Sequence, residues 1–376
     1  MKIVIVVGTR PECVKMAPVV AALRNYPDID VCVVSTGQHR ELVRSALGVF
    51  GIVPDIDLDV MTHNQSLSGL AAVIFEKLDP LLAEEKPSLV LAQGDTTSVM
   101  AAAIVSFHRG IPFGHVEAGL RTHRFDDPFP EEMNRVLVDR VAKFKFAPTE
   151  TARANLLREG VEAGDISVTG NTVIDALFDV TKRDLPCAYP QVPGRRLILI
   201  TAHRRENFGA PLKRICAAIK EIHNQVADVE LVFPVHPNPN VRDTVIPALA
   251  NLDRLHLIDP VDYLTLIGLM KNCHIVMTDS GGLQEEAPAL GKPVFVLRET
   301  TERPEAVETG VVRLVGTRSE DIVRDVIGVL RDENAYKLMA RRVLPYGDGH
   351  AAVRIADICY RFLARGRIDT QPASNG

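Results

Sequence analysis

Ile3-Val4-Ile5-Val6-Val7-Gly8-Thr9-Arg10-Pro11-Glu12-Cys13-Val14-Lys15 stands at the start of the chain. A continuous β-branched run of this kind reads as a strand buried on both faces, as in a parallel sheet. Gly8 suits a tight turn, and Pro11 suits the first position of a helix, where its missing N–H has no intrahelical partner. The segment therefore predicts strand, turn and helix. The N–H groups of that helix end, with Arg10 just before it and Lys15 one turn inside, form a compact anion site; two solvated cations beside an ordinary turn are the plainer alternative. One glycine stands where the dinucleotide fingerprint G-x-G-x-x-G needs three, and no Walker P-loop occurs in the chain. The run is too short for a secretory signal core and no small-residue cleavage site follows it.

The same pattern recurs along most of the sequence. Apolar runs at Val31–Val34, Leu89–Ala92, Phe113–Val116, Leu197–Thr201, Leu231–Val235, Ile275–Met277 and Val294–Leu297 alternate with helix-period segments, the mark of βα units. Polar residues gather just after these runs, where ligands bind in open α/β sheets. The fold expected is α/β, with two Rossmann-like doubly wound parallel-sheet domains facing a central cleft. The first spans residues 1–180. A Pro- and Gly-rich linker follows at 181–196, a second domain at 197–350, and a C-terminal helix at 351–376 packs back on the first domain and ends in a frayed tail.

The 376-residue length suits two domains. A formal charge of −5 argues against a broad basic face for nucleic acid or an anionic membrane, so an anionic ligand must be bound locally. No apolar stretch reaches membrane-spanning length. The 6 cysteines are scattered, without C-x-x-C pairs or a Cys/His ladder, which supports neither a disulfide framework nor zinc; the cytoplasm is the compartment expected.

Asp279-Ser280-Gly281-Gly282-Leu283-Gln284-Glu285-Glu286 is the counterpart of the first turn. Its glycines let backbone approach a phosphate, Ser280 suits a helix cap or a donor to a phosphate oxygen, and the helix dipole favours negative charge. Glu286 lies one turn on, where it suits a ribose diol, and Arg303 is placed for the same phosphates. In the first half, Asp95, Glu117 and Glu131 occupy strand or helix ends. Each has a structural alternative: Asp95 as a helix cap, Glu117 paired with Arg121, Glu131 as a first-turn acid. Together they suit general acid–base work or, with His203 or His236, Mg²⁺; the cations and helix ends already provided for the phosphates favour the metal-free reading. His203, after the second half's first strand, suits protonation or orientation of a leaving phosphate.

In order along the chain stand GTRPE..K (Gly8 to Lys15), QHR (Gln38 to Arg40), GDTT (Gly94 to Thr97), GHVEAGLRT (Gly114 to Thr122), PEE.NR (Pro130 to Arg135) and TGNTVID (Thr169 to Asp175). HRREN.G (His203 to Gly209), PVH.NP (Pro234 to Pro239), TDSGG.QEEAP..GKPV (Thr278 to Val294), TTERPEA (Thr300 to Ala306) and PYGDG (Pro345 to Gly349) follow. This ordered set resembles the non-hydrolysing UDP-N-acetylglucosamine 2-epimerases, cytoplasmic bacterial enzymes of glycosyltransferase-B fold. The resemblance implies reversible conversion of UDP-GlcNAc to UDP-ManNAc through elimination of UDP, for surface polysaccharide or amino-sugar biosynthesis. It implies Asp95, Glu117 and Glu131 as the acid–base set, with Lys15 and His203 at the leaving diphosphate. Arg10, Ser280, Gly281, Gly282, Glu286 and Arg303 would bind UDP, and Gln38, Glu41, Arg204 and His236 match a second, activating UDP-GlcNAc site. A homodimer is the assembly expected, with neither metal nor other cofactor.

Four positions depart from the family pattern. Asn64 replaces an arginine of the activating site and Gln93 a histidine, while Leu266 and Val261 stand near the expected uracil pocket in place of the usual aromatic residue and glutamine, respectively. A hydrolysing epimerase that releases ManNAc, a glycosyltransferase and a UDP-sugar-binding sensor are the competing functions; the acid set argues against the sensor.

Overall fold

The computed structural model describes residues 1–37, 40–62, 65–185, 189 and 192–368. The chain forms two compact units, Met1–Phe178 together with the segment that begins at Tyr346, and Asp179–Pro345.

The first unit carries β1 (Lys2–Val7), β2 (Asp30–Ser35), β3 (Ile56–Asp57), β4 (Leu89–Gln93), β5 (Phe113–Val116), β6 (Phe144–Ala147) and β7 (Ile166–Val168). They form one sheet in the order β3-β2-β1-β4-β5-β6-β7, with every neighbour parallel. The second unit holds β8 (Arg196–Thr201), β9 (Val229–Pro234), β10 (Leu255–Ile258), β11 (Ile275–Thr278), β12 (Val294–Val296) and β13 (Val312–Leu314). Its parallel sheet runs β10-β9-β8-β11-β12-β13. Both are doubly wound, as expected, and each has its switch of strand order beside its first strand, between β1 and β4 and between β8 and β11. At such a switch the following loops diverge and leave room for a ligand.

All eight apolar runs became strands. The five strands they did not announce, β3, β6, β7, β10 and β13, lie towards the sheet edges. In β3, β7, β10 and β13 residues are partly exposed, so the continuous apolar signature of a central strand gives way to mixed sequence. In β6 the run Phe-Lys-Phe-Ala is broken by Lys145, which is buried and 3.7 Å from Asp165.

The crossing back to the first unit begins at Tyr346, ahead of residue 351. Tyr346 is buried and its carbonyl accepts the Asn171 N–H at 2.6 Å. The buried Asp175 carboxylate then accepts the N–H groups of Ala351 and Ala352 at 3.2 and 2.9 Å, capping the helix Ala351–Ile368. Burial pushes the Asp175 carboxyl above its ordinary value, against those hydrogen bonds. This last helix packs on the helix Arg10–Arg24, where Tyr26 stacks on Tyr360 at 4.5 Å. Of the expected linker, residues 186–188, 190 and 191 lie outside the described residues.

Candidate active site

In the first unit the turn after β1 is closed from within. Glu12, in the third position of the helix Arg10–Arg24, accepts the N–H of Gly8 at 2.5 Å and of Thr9 at 3.2 Å. Both donors precede the first helical residue, Arg10, so this carboxylate holds the turn just ahead of the helix end. Burial raises Glu12 to about 7, while hydrogen bonds from Thr96, Gly8 and Thr9 pull it down. Gly8 has no room for a side chain: a Cβ there would lie 2.6 Å from both Ser98 Oγ and Thr36 Oγ1.

Lys15 is buried and reaches Glu117, which also accepts from Asn171 Nδ2 at 2.7 Å. Glu117 follows β5 with φ of +69°, a left-handed conformation uncommon for a residue with a side chain. The Glu117–Arg121 pair allowed for in the sequence does not form. Arg121 instead binds Asp139 at 2.7 Å and Glu159 at 2.7 Å. Asp95 follows β4, the strand next to β5, two residues beyond Gln93, which pairs with Val116. It does not cap the following helix; Thr96 does, accepting from Val99 N–H at 3.4 Å. Asp95 binds Arg135 at 2.6 Å, and its carbonyl accepts from Asn134 Nδ2 at 2.8 Å. Glu131 begins the helix Glu131–Val141 that supplies Asn134 and Arg135.

Beneath these acids lies a network the motifs did not reveal. The buried His115 lies 2.6 Å from Asp139 Oδ1 through Nδ1 and 2.7 Å from the Gly94 carbonyl through Nε2. Asp139 Oδ2 accepts from Arg121 and, at 3.2 Å, from Gly119 N–H. Burial would raise the Asp139 carboxyl, but His115 and Arg121 together hold it below the usual carboxylate range. One histidine therefore ties the turn that carries Asp95 to the loop that carries Glu117.

In the second unit Thr278 ends β11 and Ser280 precedes the helix Gly281–Ala289. The Ser280 hydroxyl does not cap that helix, and its N–H donates to Thr278 Oγ1 at 2.9 Å. A Cβ on Gly281 would lie 2.7 Å from Arg303 Nη1 and 2.9 Å from its Cζ, so the guanidinium sits directly against the first helical residue. Arg303 is buried and bound to Glu285 and Glu302, and Arg298 also binds Glu302, at 2.9 Å. Glu286 is buried and accepts from Tyr263 Oη at 2.7 Å. After β8, the half-buried His203 stacks on the exposed His236 with ring centres 5.4 Å apart.

The model for UDP-N-acetylglucosamine 2-epimerases matches residues 21–360. The UDP-N-acetylglucosamine 2-epimerase of Escherichia coli O157:H7 is 49% identical over 367 residues, covering 95% of this chain and 98% of its own. The chain belongs to the UDP-N-acetylglucosamine 2-epimerase family. A family structure from Neisseria meningitidis, bound to UDP-GlcNAc, has a TM-score of 0.93 at 43% identity, covering 96% of this chain and 100% of that one. Another, from Methanocaldococcus jannaschii with UDP-GlcNAc and UDP, has a TM-score of 0.85 at 34% identity, over 96% and 100% of the two chains. The two-unit architecture is the glycosyltransferase-B-like one of this family.

Of the residues matched to the family's activating site, Glu41 is exposed on the helix Arg40–Gly48. Arg204 donates its N–H to Asp279 at 2.9 Å, and His236 Nδ1 accepts the Asn238 N–H at 3.2 Å. Gln38, and Asn64 beside it in that set, lie outside the described residues. Among the described residues, no group of three His, Cys, Asp or Glu side chains is placed to hold a metal ion, and no helix is long and apolar enough to cross a membrane.

Proposed function

We propose that this chain interconverts UDP-GlcNAc and UDP-ManNAc by elimination and re-addition of UDP. The observation that carries the reading is the pair of carboxylates on neighbouring strand ends, Asp95 held by Arg135 and Glu117 held by Lys15 and Asn171. It is supported by membership of a family with a UDP-GlcNAc-bound structure.

C2–H of the sugar is not adjacent to a carbonyl and is weakly acidic. As the C1–O bond to UDP lengthens, positive charge at C1 acidifies it. A carboxylate removes the C2 proton, the C1–O electrons leave with UDP, and 2-acetamidoglucal forms. Protonation of C2 on the opposite face, with return of UDP to C1, gives the epimer. Two faces require two acid–base groups, drawn from Asp95, Glu117 and Glu131, each positioned group contributing about 10²–10⁴ in rate. Lys15 and His203 offset charge on the departing diphosphate. The uncapped start of the helix Gly281–Ala289 offers N–H groups to that diphosphate, with Ser280, Gly281, Gly282, Arg303 and Arg10 as further contacts and Glu286 at the ribose. The enzyme would work in the cytoplasm as a homodimer, without metal, supplying an N-acetylmannosamine nucleotide for surface polysaccharide.

Incubation with UDP-GlcNAc in D₂O, followed by NMR of the nucleotide sugar, tests this. Deuterium at C2 in a mixture of UDP-GlcNAc and UDP-ManNAc is expected, at a rate unchanged by chelator. Free ManNAc with UDP would make the enzyme hydrolytic, and retention of C2–H without epimer would overturn the reading.

A further inference from the structure

Asp279 is fully buried, and its two oxygens have different surroundings. Oδ2 accepts three donors, His203 N–H at 2.8 Å, Arg204 N–H at 2.9 Å and Asn207 Nδ2 at 2.9 Å. These suffice to fold the loop after β8 onto the end of β11. Oδ1 is buried with no hydrogen bond, and lies 3.4 Å from His203 Nδ1. A structural clamp needs only the first oxygen. A buried carboxylate oxygen left without a donor is costly, and the nearby imidazole nitrogen is the group placed to relieve it. Hydrogen bonds of catalytic groups are often long without substrate and tighten in the complex.

We propose that Asp279 is a positioning residue for His203. Its Oδ1 accepts the Nδ1 proton, fixes the ring's tautomer and orientation, and supports the doubly protonated ring whose Nε2–H donates to the leaving diphosphate. A carboxylate behind an imidazole has the same function in hydrolytic triads and metal sites. Stacking on His236, 14° from parallel, restrains the ring plane, while Asp279 selects which edge faces inward. The diphosphate role rests on the epimerase reading; the choice of tautomer does not.

Asp279→Asn separates the two oxygens. The amide oxygen must take the Oδ2 position, where three donors converge, which puts the NH₂ against His203 Nδ1. That NH₂ donates, so the ring proton must move to Nε2. Nitrogen-15 NMR of histidine-labelled protein, with His203 assigned by its loss in His203→Gln, reads this directly. The wild type is expected to carry its proton on Nδ1 and Asp279→Asn on Nε2. A wild-type His203 protonated only on Nε2 would overturn the proposal, even if the variant does not fold, and so would a ring unchanged in a folded variant.

Kinetically, Asp279→Asn should lower kcat for epimerisation about 100-fold with KM for UDP-GlcNAc within about threefold, and should add almost nothing in a His203→Gln background. Equal losses in both backgrounds would show that Asp279 acts only on the loop and would overturn it. An inactive wild type with the expected tautomer would count against the epimerase reading and leave the dyad standing.

Discussion

The two units share a strand order around their first strands, yet they finish their first-strand and switch-point turns in opposite ways. In the first, the helix Arg10–Arg24 is closed by its own Glu12, and the acids beyond β4 and β5 are tied to Arg135, Lys15 and Asn171. In the second, the helix Gly281–Ala289 starts without a side-chain cap, with glycine against the Arg303 guanidinium. Helix-end N–H groups that a side chain already satisfies have little left for a ligand, whereas unsatisfied ones keep their attraction for phosphate. On the function proposed above, proton transfer falls to the first unit and diphosphate binding mainly to the second.

Glu117→Gln tests the first half of that division most severely. It removes a proton acceptor but keeps a hydrogen-bonding side chain beside Lys15 and Asn171. Turnover should fall about 1,000-fold, within the range for a general acid or base, with UDP affinity by calorimetry within about threefold. If affinity fell as far as turnover, the first unit would be holding the ligand as well and the division would break.

A pair of glycine substitutions sharpens the second half. Gly281→Ala drives a Cβ into the Arg303 guanidinium, and because Glu285 and Glu302 hold that group, the helix start must shift instead. UDP affinity should drop about 100-fold, equivalent to about 3 kcal/mol. Gly8→Ala meets Ser98 and Thr36 at 2.6 Å and should cost about 1–3 kcal/mol of stability by overpacking, with UDP affinity changed tenfold or less. Equal losses of affinity in the two variants would erase the contrast between the turns.

Much of this was legible in the sequence because strand-end chemistry is local. A β-branched run, a glycine and a helix start announce a βα turn, and they placed Asp95, Glu117, His203 and Ser280 at the ends of central strands. Partnerships across the sheet were not legible. Asn171 meets Glu117 over 54 positions and Arg135 meets Asp95 over 40, and no spacing rule reaches so far. His115 and Glu117 did carry a signal, since residues two apart on a strand share a face, but the tie from His115 to Asp139 and Gly94 needed the sheet to be assembled. Arg303 shows the same limit: the sequence sets it near the phosphate turn, and only the fold shows Glu285 and Glu302 beside it.

The smallest effect distinguishes the closed turn by its pH dependence. Glu12 has an ordinary value of 4.5 and is raised by burial to about 7 in the fold. The folded protein therefore binds this proton more tightly than the unfolded chain. The stabilisation is fully present below about 4.5, declines as pH rises, and is lost above about 7. Its ceiling is about 3 kcal/mol from the size of the shift, and relaxation around the charged group should reduce it to about 1–2 kcal/mol. Glu12→Gln keeps an acceptor for Gly8 and Thr9 but cannot ionise. Urea unfolding of both proteins at pH 5 and pH 8 should show the wild type losing that much stability relative to the variant at the higher pH. A difference independent of pH would mean that Glu12 does not titrate in this window, and that the first turn is closed by a carboxylate charged throughout.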